Sequence, residues 1–245
     1  MSDRSAIEWT DATWNPVTGC TEISPGCDHC YARAFAERFR GIEGHPYQQG
    51  FDLKLWPERL RLPLLWKQPR RIFVNSMSDL FHEEIPEAYI HRVFDVMDEA
   101  AWHTFQVLTK RPKRMAELAQ TRHWPTNVWA GTSVELDRYT WRANVYLSRV
   151  PALVRFVSAE PLLGPLPSLQ LDHLQWVITG GESGRQHRPC ESSWVRDLRD
   201  RCLAQGVAFF HKQWGGLTHS SYGRELDGRT WDEFPRPSPI RALAS

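Results

Sequence analysis

Short apolar runs alternate with stretches of helical spacing along most of this chain, and this alternation constrains the fold more than any other feature. Runs of four to six mostly apolar residues predict six strands, at 71–75, 104–109, 127–131, 153–158, 175–179 and 207–210. Helical spacing predicts five helices, at 30–39, 87–101, 112–119, 136–147 and 193–204. Such an alternation favours a parallel sheet with right-handed crossovers. We therefore predict an α/β fold whose sheet is open or closes into a partial or complete parallel (β/α) barrel.

The domain organisation is predicted to be simple. The 245 residues contain no repeat of fixed period, no low-complexity tract and no Gly/Ser linker. We expect residues 1–216 to form one α/β barrel domain that carries an N-terminal cysteine loop. Residues 217–245 are polar and proline-containing, and we expect them to form a C-terminal wrap or tail of the same domain.

Charge and hydropathy exclude some classes of protein and leave others open. There are 30 Lys and Arg against 29 Asp and Glu, so no global positive field attracts nucleic acid. The mean hydropathy is −0.50, and no apolar run approaches the length of a membrane span. The segment from Met1 to Trp9 lacks the apolar region of a signal peptide. We predict a cytoplasmic protein without a membrane partner, and we assign the twelve tryptophans mainly to the core.

Polar and charged residues follow the predicted strands at the point where each strand ends. In a parallel α/β sheet these carboxyl ends meet at one edge, which is where ligands bind. The repeated occurrence of carboxylates and lysines there therefore predicts a ligand site. Its candidate residues are Ser78, Asp79, Lys110, Ser133, Glu135, Glu160, Glu182 and Lys212.

Three of the five cysteines, Cys20, Cys27 and Cys30, fall within eleven residues. A disulfide framework is not expected, because it belongs to small domains in oxidising compartments. Clustered thiolates instead favour zinc or an iron–sulfur cluster. A cluster held by three cysteines leaves one iron open for a cofactor, whereas structural zinc needs a fourth ligand. That ligand would be His29, Cys190 or Cys202.

The cysteine segment also carries a family resemblance. The run CDHCYA at 27–32 is similar to the radical S-adenosylmethionine enzymes, whose usual loop is C-x3-C-x2-C, although the first spacing here is x6. Longer motifs from about residue 6 to 235 resemble one family more closely, the phage and bacterial three-cysteine proteins that are treated as radical-SAM-like. These motifs are IEWTDATWNPVTGC at 7–20, NSMSDLF at 75–81, LTKRP at 108–112, EPLLGP at 160–165, GGESG at 180–184, KQWG at 212–215 and LDGRTWDEFP at 226–235.

This resemblance implies a barrel of the radical SAM type, a [4Fe-4S] cluster on Cys20, Cys27 and Cys30, and S-adenosylmethionine as cofactor. Lys110 then suits the carboxylate of the cofactor, and Ser78 and Asp79 suit its ammonium group. Ser133 and Glu135 suit the ribose hydroxyls. A shorter similarity links Ser78-Asp79 and Thr109-Lys110 to the strand ends that serve the cofactor in spore photoproduct lyase.

Each of these roles has a structural alternative. Asp79 would cap a turn, Lys110 would lie in a solvated loop, and Ser133 and Glu135 would cap the helix near residue 136. The catalytic candidates are Glu160, Glu182, Lys212 and Cys190. The two glutamates would bind substrate, move protons or pair with an arginine such as Arg188, and the glycines of 180–184 would let a ligand approach the backbone.

The function expected from these observations is radical S-adenosylmethionine chemistry on a nucleobase, in nucleic acid or a nucleotide. It requires an external electron donor, and the family context suggests a partner protein. The alternative is a zinc-bound α/β protein that binds nucleic acid or acts as an accessory protein without radical chemistry. A third reading uses the cluster for electron transfer or sensing, with a fourth protein ligand.

Overall fold

Seven parallel strands form the main sheet in a computed structural model, which describes residues 5–218 and 220–236. Two further short strands pair antiparallel beside it. In chain order the strands are β1 (Ala12–Trp14), β2 (Val17–Thr18), β3 (Lys54–Leu55), β4 (Arg71–Val74), β5 (Thr104–Thr109), β6 (Val128–Ser133), β7 (Arg155–Ala159), β8 (Trp176–Gly180) and β9 (Ala208–Gln213).

The strand order of the main sheet is β1-β4-β5-β6-β7-β8-β9, so its strands lie side by side in their order along the chain, although β2 and β3 of the small sheet come between β1 and β4 in sequence. Successive crossovers in one direction curl the sheet into a half-barrel flanked by helices, which confirms the predicted α/β fold with a partial barrel. Each of the six predicted strands matches one of β4 to β9 within a few residues. Strand β1 was not predicted, because its three residues stand among polar ones and show no extended apolar run.

Five α-helices occur in the described part of the chain: α1 (Tyr31–Ala36), α2 (Leu62–Leu65), α3 (Glu87–Glu99), α4 (Pro112–Thr121) and α5 (Ser192–Gln205). The α-helix predicted at 136–147 is wrong. That segment forms a π-helix at Arg142–Tyr146 between two 3-10 turns. Arg142 begins the π-helix and turns its side chain inward to a buried carboxylate, a constraint that helical spacing does not encode.

The alternation of side chains along the strands separates two apolar layers. On β4, Ile72 and Val74 pack with the helices, whereas Phe73 faces the concave side of the half-barrel. The concave layer is largely aromatic and includes three of the tryptophans that were assigned to the core from sequence. Burial of each such ring is worth roughly 1.5–3 kcal/mol. Its buried aromatic residues are Trp9, Phe73, Trp129, Phe156, Trp176 and Phe210.

The segment after β9 packs on the same sheet. Trp231 is buried and Phe234 lies against Trp176, with ring centroids 5.2 Å apart. Asp232 forms an antiparallel bridge with Phe210 along the outer edge of β9. The described part of the predicted wrap therefore covers the last strand, and residues 237–245 lie outside the described residues. Within the described ranges, no helix combines the length and the apolarity that crossing a membrane requires.

Candidate functional site

A cavity of about 550 Å³ opens at the carboxyl ends of the parallel strands, within the size range of small-molecule sites. Its floor includes Trp9, Phe73 and Leu108 of the concave layer. Ten of the twelve predicted site residues line it, so the structure brings together side chains that are distant in sequence. They are Cys20, Cys27, Cys30, Ser78, Asp79, Lys110, Ser133, Glu160, Glu182 and Lys212.

The cysteine loop, residues 20–30, forms one wall of this cavity. Cys20 follows β2, Cys27 ends a short 3-10 turn, and Cys30 immediately precedes α1. All three thiols are free and partly exposed. Among the described residues, no three His, Cys, Asp or Glu side chains are gathered closely enough to hold a metal ion. Binding one metal centre through all three cysteines therefore requires their side chains to converge.

Glycine fixes the start of this loop. Gly19 has a φ of +84°, a conformation that side-chain-bearing residues rarely adopt. A Cβ atom at this position would lie 2.2 Å from the backbone oxygen of Asp52, so no larger residue fits. The backbone of Gly19 also bridges to Ser78 beyond β4. These contacts place Cys20 beside the carboxyl end of β4.

Arg111 contacts the first cysteine from the end of β5. Its Nη1 lies 3.5 Å from Sγ of Cys20 and 3.4 Å from Oδ2 of Asp79, and its Nη2 donates to Oγ1 of Thr21 at 2.8 Å. Burial, with the nearby Asp79 carboxylate adding to it, raises the pKa of the Cys20 thiol to about 11 despite this guanidinium. Cys20 is therefore a neutral thiol at pH 7 in the metal-free protein.

Glu182 contacts the other end of the cysteine loop. Its Oε2 lies 2.9 Å from Nδ1 of His29, and its two carboxylate oxygens accept from Nε and Nη2 of Arg188 at 3.0 and 2.6 Å. Burial opposes ionisation of Glu182, but the hydrogen bonds from Arg188 and His29 outweigh it and lower the pKa of the carboxyl. The predicted alternative in which this glutamate pairs with Arg188 is the arrangement observed.

Asp79 joins the ends of two strands. Its Oδ1 accepts from Oγ1 of Thr109 at 2.7 Å and from the backbone N–H of Phe81 at 2.9 Å, and its Oδ2 accepts from the backbone N–H of Lys110 at 3.0 Å. Ser78 donates its hydroxyl to the carbonyl of Val17. Asp79 therefore makes the contacts of the turn cap described as its structural alternative. One of these contacts also orients the backbone of Lys110.

Lys110 differs from the other lysine and arginine side chains that line the cavity in having an available ammonium group. The others, Arg33, Arg111 and Lys212, are each ion-paired. The side chain of Lys110 is half-buried and lines the cavity, and within the described ranges it makes neither an ion pair nor a hydrogen bond. A cation in this position is able to pair with an anionic ligand without first breaking an internal contact.

Ser133 and Glu135 occupy different environments although they are two residues apart. Ser133 ends β6 and lines the cavity. Glu135 is fully buried outside the lining, and its Oε2 accepts from Nη1 of Arg142 at 2.9 Å. Its side chain also packs under Gly26, where an added Cβ would lie 3.2 Å from it. Glu135 thus supports the cysteine loop from below and has no α-helix to cap.

Glu160 and Lys212, which also line the cavity, form an ion pair at the carboxyl ends of β7 and β9. Nζ of Lys212 lies 3.0 Å from Oε2 of Glu160, and Ser158 donates to Oε1 at 3.0 Å. The 180–184 glycines are expected to admit a ligand, and within that run Gly181 lines the cavity. The groups that approach Gly180 and Gly181 are the Glu160 carboxylate and the Trp214 carbonyl, which would lie 3.0 and 2.0 Å from an added Cβ.

The remaining cysteines lie outside the cavity lining. Cys190 packs beside Gly181 against the outer apolar layer, and Cys202 is buried on α5. Burial raises the pKa of each thiol to about 12. These positions do not bring either cysteine together with the other three as a fourth ligand. Trp214 also lies outside the lining and donates its Nε1 to the carbonyl of Glu225.

Two residues of the cavity lining, Arg111 and Tyr31, make contacts that were not predicted from sequence. Tyr31 lines the cavity and donates its hydroxyl to the carbonyl of Ser76 at 2.6 Å. The sequence does hold an indication of both contacts, because Tyr31 follows Cys30 directly and Arg111 lies just beyond the end of β5.

Comparison with known proteins gives one family. The model of a family described as a protein of unknown function (DUF5131) matches residues 4–235. Searches of curated proteins and of solved structures give no match. Because the family match spans most of the chain, including the cysteine loop and every strand of the sheet, the protein belongs to the DUF5131 family.

Proposed function

We propose that this protein is a radical S-adenosylmethionine enzyme of the radical-SAM-like three-cysteine type, with a [4Fe-4S] cluster on Cys20, Cys27 and Cys30. One observation carries the proposal: these cysteines and the unpaired Lys110 line the same cavity, at the carboxyl ends of a parallel half-barrel. This is the edge at which parallel α/β sheets place their ligands.

The donor set fits a cluster better than it fits closed zinc. Three free thiols face the cavity, whereas Cys190 and Cys202 lie away from it and His29 is bonded to Glu182. A cluster needs three thiolates and keeps one iron for a small molecule, and structural zinc needs a fourth protein ligand. Among the described residues no three such ligands are gathered, so either centre requires the cysteine loop to close, and a cluster requires one protein ligand fewer than zinc.

The cluster and S-adenosylmethionine together supply one-electron radical chemistry, with electrons from an external donor. Lys110 pairs with the cofactor carboxylate through its available ammonium group. Ser133 offers a hydroxyl to the ribose. Asp79 acts through Lys110, because its carboxylate already fixes the backbone at that residue. The aromatic floor excludes water from the reacting atoms.

The substrate side of the cavity is proposed to be the end where Glu160, Glu182 and Lys212 lie. The Glu160–Lys212 pair offers a donor and an acceptor side by side, which matches the hydrogen-bonding edge of a nucleobase. The phage setting of the similar proteins and the strand ends shared with spore photoproduct lyase also support a nucleobase substrate. A net charge of +1 favours a nucleotide or a short nucleic-acid segment over a long polyanion.

The test is anaerobic purification and reconstitution with iron and sulfide. We expect iron and sulfide in cubane stoichiometry, and an EPR signal of the reduced protein that shifts when S-adenosylmethionine is added. The Cys27→Ala variant should lose the signal. Cys202→Ala, which removes a thiol on α5 away from the cavity, should keep it.

Two results would overturn the proposal. Tightly bound zinc without an EPR signal would identify a zinc-bound α/β protein that binds nucleic acid or acts as an accessory protein. A cluster whose EPR spectrum does not change when S-adenosylmethionine is added would identify an electron-transfer or sensing protein.

A further inference from the structure

The two ends of the cysteine loop are contacted by arginines from two separate strand ends. Arg111, which follows β5, reaches Cys20 and Thr21. Arg188, which lies beyond β8, reaches the segment that contains Cys27 and Cys30. The two arginines therefore connect opposite ends of one loop to different parts of the sheet.

Arg188 binds the loop on both sides of its second cysteine, Cys27. Its Nη1 lies 3.0 Å from Oδ2 of Asp28, and its Nη2 donates to the carbonyl of Pro25 at 2.7 Å. Its Nε and Nη2 also donate to Glu182, whose carboxylate is nearly inaccessible to solvent. Glu182 also bonds His29, so one strand-end carboxylate orients the loop both directly and through the arginine.

Arg111 repeats this arrangement at the first cysteine. Its guanidinium is largely buried, contacts the thiol of Cys20, and donates to the side chain and carbonyl of Thr21 at 2.8 and 3.3 Å. Asp79, fixed by the strand ends, pairs with it. Both arginines are therefore held by a carboxylate from the carboxyl edge of the sheet.

We propose that Arg111 and Arg188 are positioning residues that set the separation between Cys20 and the Cys27–Cys30 pair. This inference rests on the proposed cluster site and adds the groups that shape it. Six residues separate Cys20 from Cys27, and a loop of that length has many conformations of similar energy. Planar, multiply bonded guanidinium groups reduce that number, and a lysine, with a single ammonium group, does so less well.

The experiment uses Arg111→Met and Arg188→Met, with Arg111→Lys and Arg188→Lys as conservative variants. Arg196→Met is the matched control, because Arg196, a partly exposed residue of α5, makes an equally bidentate contact with Asp227 at 2.8 and 3.1 Å. The first readout is taken on the metal-free protein. Iodoacetamide labelling of each cysteine is followed by mass spectrometry, and bridging of neighbouring thiols is followed with phenylarsine oxide.

We expect Arg188→Met to change the labelling rates of Cys27 and Cys30 about tenfold. Arg111→Met should change the labelling rate of Cys20 by a similar factor. The reason is that losing charged hydrogen bonds shifts the equilibrium between conformations of the loop by roughly that factor. The lysine variants should fall between these and wild type, and Arg196→Met should match wild type. The second readout, after reconstitution, is iron content and EPR line shape, which both methionine variants should alter.

Wild-type labelling rates and wild-type iron content in both methionine variants would overturn the positioning role. If circular dichroism shows that a methionine variant does not fold, the corresponding lysine variant is tested instead, with the same labelling rates and iron content as criteria. Failure of the proposed function can be distinguished from failure of the positioning role. In the first case the wild-type protein would bind no cluster, but labelling of the metal-free protein would still show whether the arginines hold the cysteine loop.

Discussion

Glu160 and Lys212 meet above Gly180, with 3.0 Å between Oε2 of the glutamate and Nζ of the lysine. The pair joins the chain after β7 to the end of β9 across the intervening strand β8. Position 180 has no side chain, and a Cβ there would lie 3.0 Å from the same carboxylate oxygen, so Glu160 would have to shift. The side chains are 15% and 21% exposed, so both charges are partly removed from water.

A double-mutant cycle on Glu160→Gln and Lys212→Met should reveal this coupling. Each single variant leaves one charge without its partner, and we expect the double variant to be less destabilised than the sum of the two by about 1 kcal/mol. Urea denaturation measures it. The exposed Lys113–Glu117 pair on α4 is the control, with a coupling of at most a few tenths of a kcal/mol. Strict additivity at Glu160 and Lys212 would contradict the ion pair.

Lys110→Met should weaken binding of S-adenosylmethionine to the reconstituted protein by about tenfold or more, because a charged hydrogen bond to its carboxylate is lost. The measurement is titration of the cofactor-dependent EPR shift. Lys113→Met removes an exposed lysine from the neighbouring helix and should leave the titration unchanged. If Lys110→Met and wild type bind S-adenosylmethionine with equal affinity, Lys110 does not contact the cofactor.

Stability should fall as the pH drops below 6.5. Burial, with Arg224 adding to it, lowers the pKa of His211 from 6.5 to about 4 in the folded protein. The unfolded chain therefore binds more protons in this window, and the contribution of a neutral His211 is complete above pH 6.5 and is lost towards pH 4. It amounts to up to about 3 kcal/mol.

The check on this pH dependence is urea denaturation at several pH values for wild type and His211→Gln. The variant should show a flatter profile, although His82, His103 and His173 have pKa values that burial lowers in the same direction and keep part of the slope. If unfolding free energy depends on pH in the same way in the two proteins, the pKa of His211 is not lowered in the folded protein.

Trp231→Ala should cost about 3–5 kcal/mol of unfolding free energy, because the ring is 6% exposed and its loss leaves a large cavity. The ring packs on Phe209 of β9, and Nε1 donates to the carbonyl of Leu226. Leu217→Ala, at a side chain 66% exposed, should change stability by no more than about 0.5 kcal/mol. A wild-type denaturation midpoint for Trp231→Ala would mean that the C-terminal wrap contributes nothing to the fold.

Much of this fold was predictable, because β4 to β9 are buried on both faces and appear in sequence as short apolar runs. Much of the site was predictable as well, since in a parallel sheet the residues after each strand meet at one edge. Ser78, Lys110 and Lys212 line one cavity for that reason alone.

The rest depended on contacts between distant residues. The burial of Glu135 follows from its pairing with Arg142 and from the π-helix that carries this arginine. The contacts of Arg111 with Cys20 and of Arg188 with Asp28 join residues 91 and 160 positions apart. No local pattern encodes them, because a guanidinium selects its partners by geometry in the folded chain.

The contacts of Glu182 and Arg188 with the cysteine loop also have a consequence for biosynthesis. His29 and Glu182 are separated by 153 residues, so the loop leaves the ribosome long before the groups that fix it. At roughly 5–20 residues per second, the three thiols wait on the order of ten to thirty seconds in a nascent chain without these partners. During that interval they are open to oxidants and to stray metal ions. The loop reaches its folded form only after Glu182 and Arg188 have been translated, which is when the proposed cluster would be inserted.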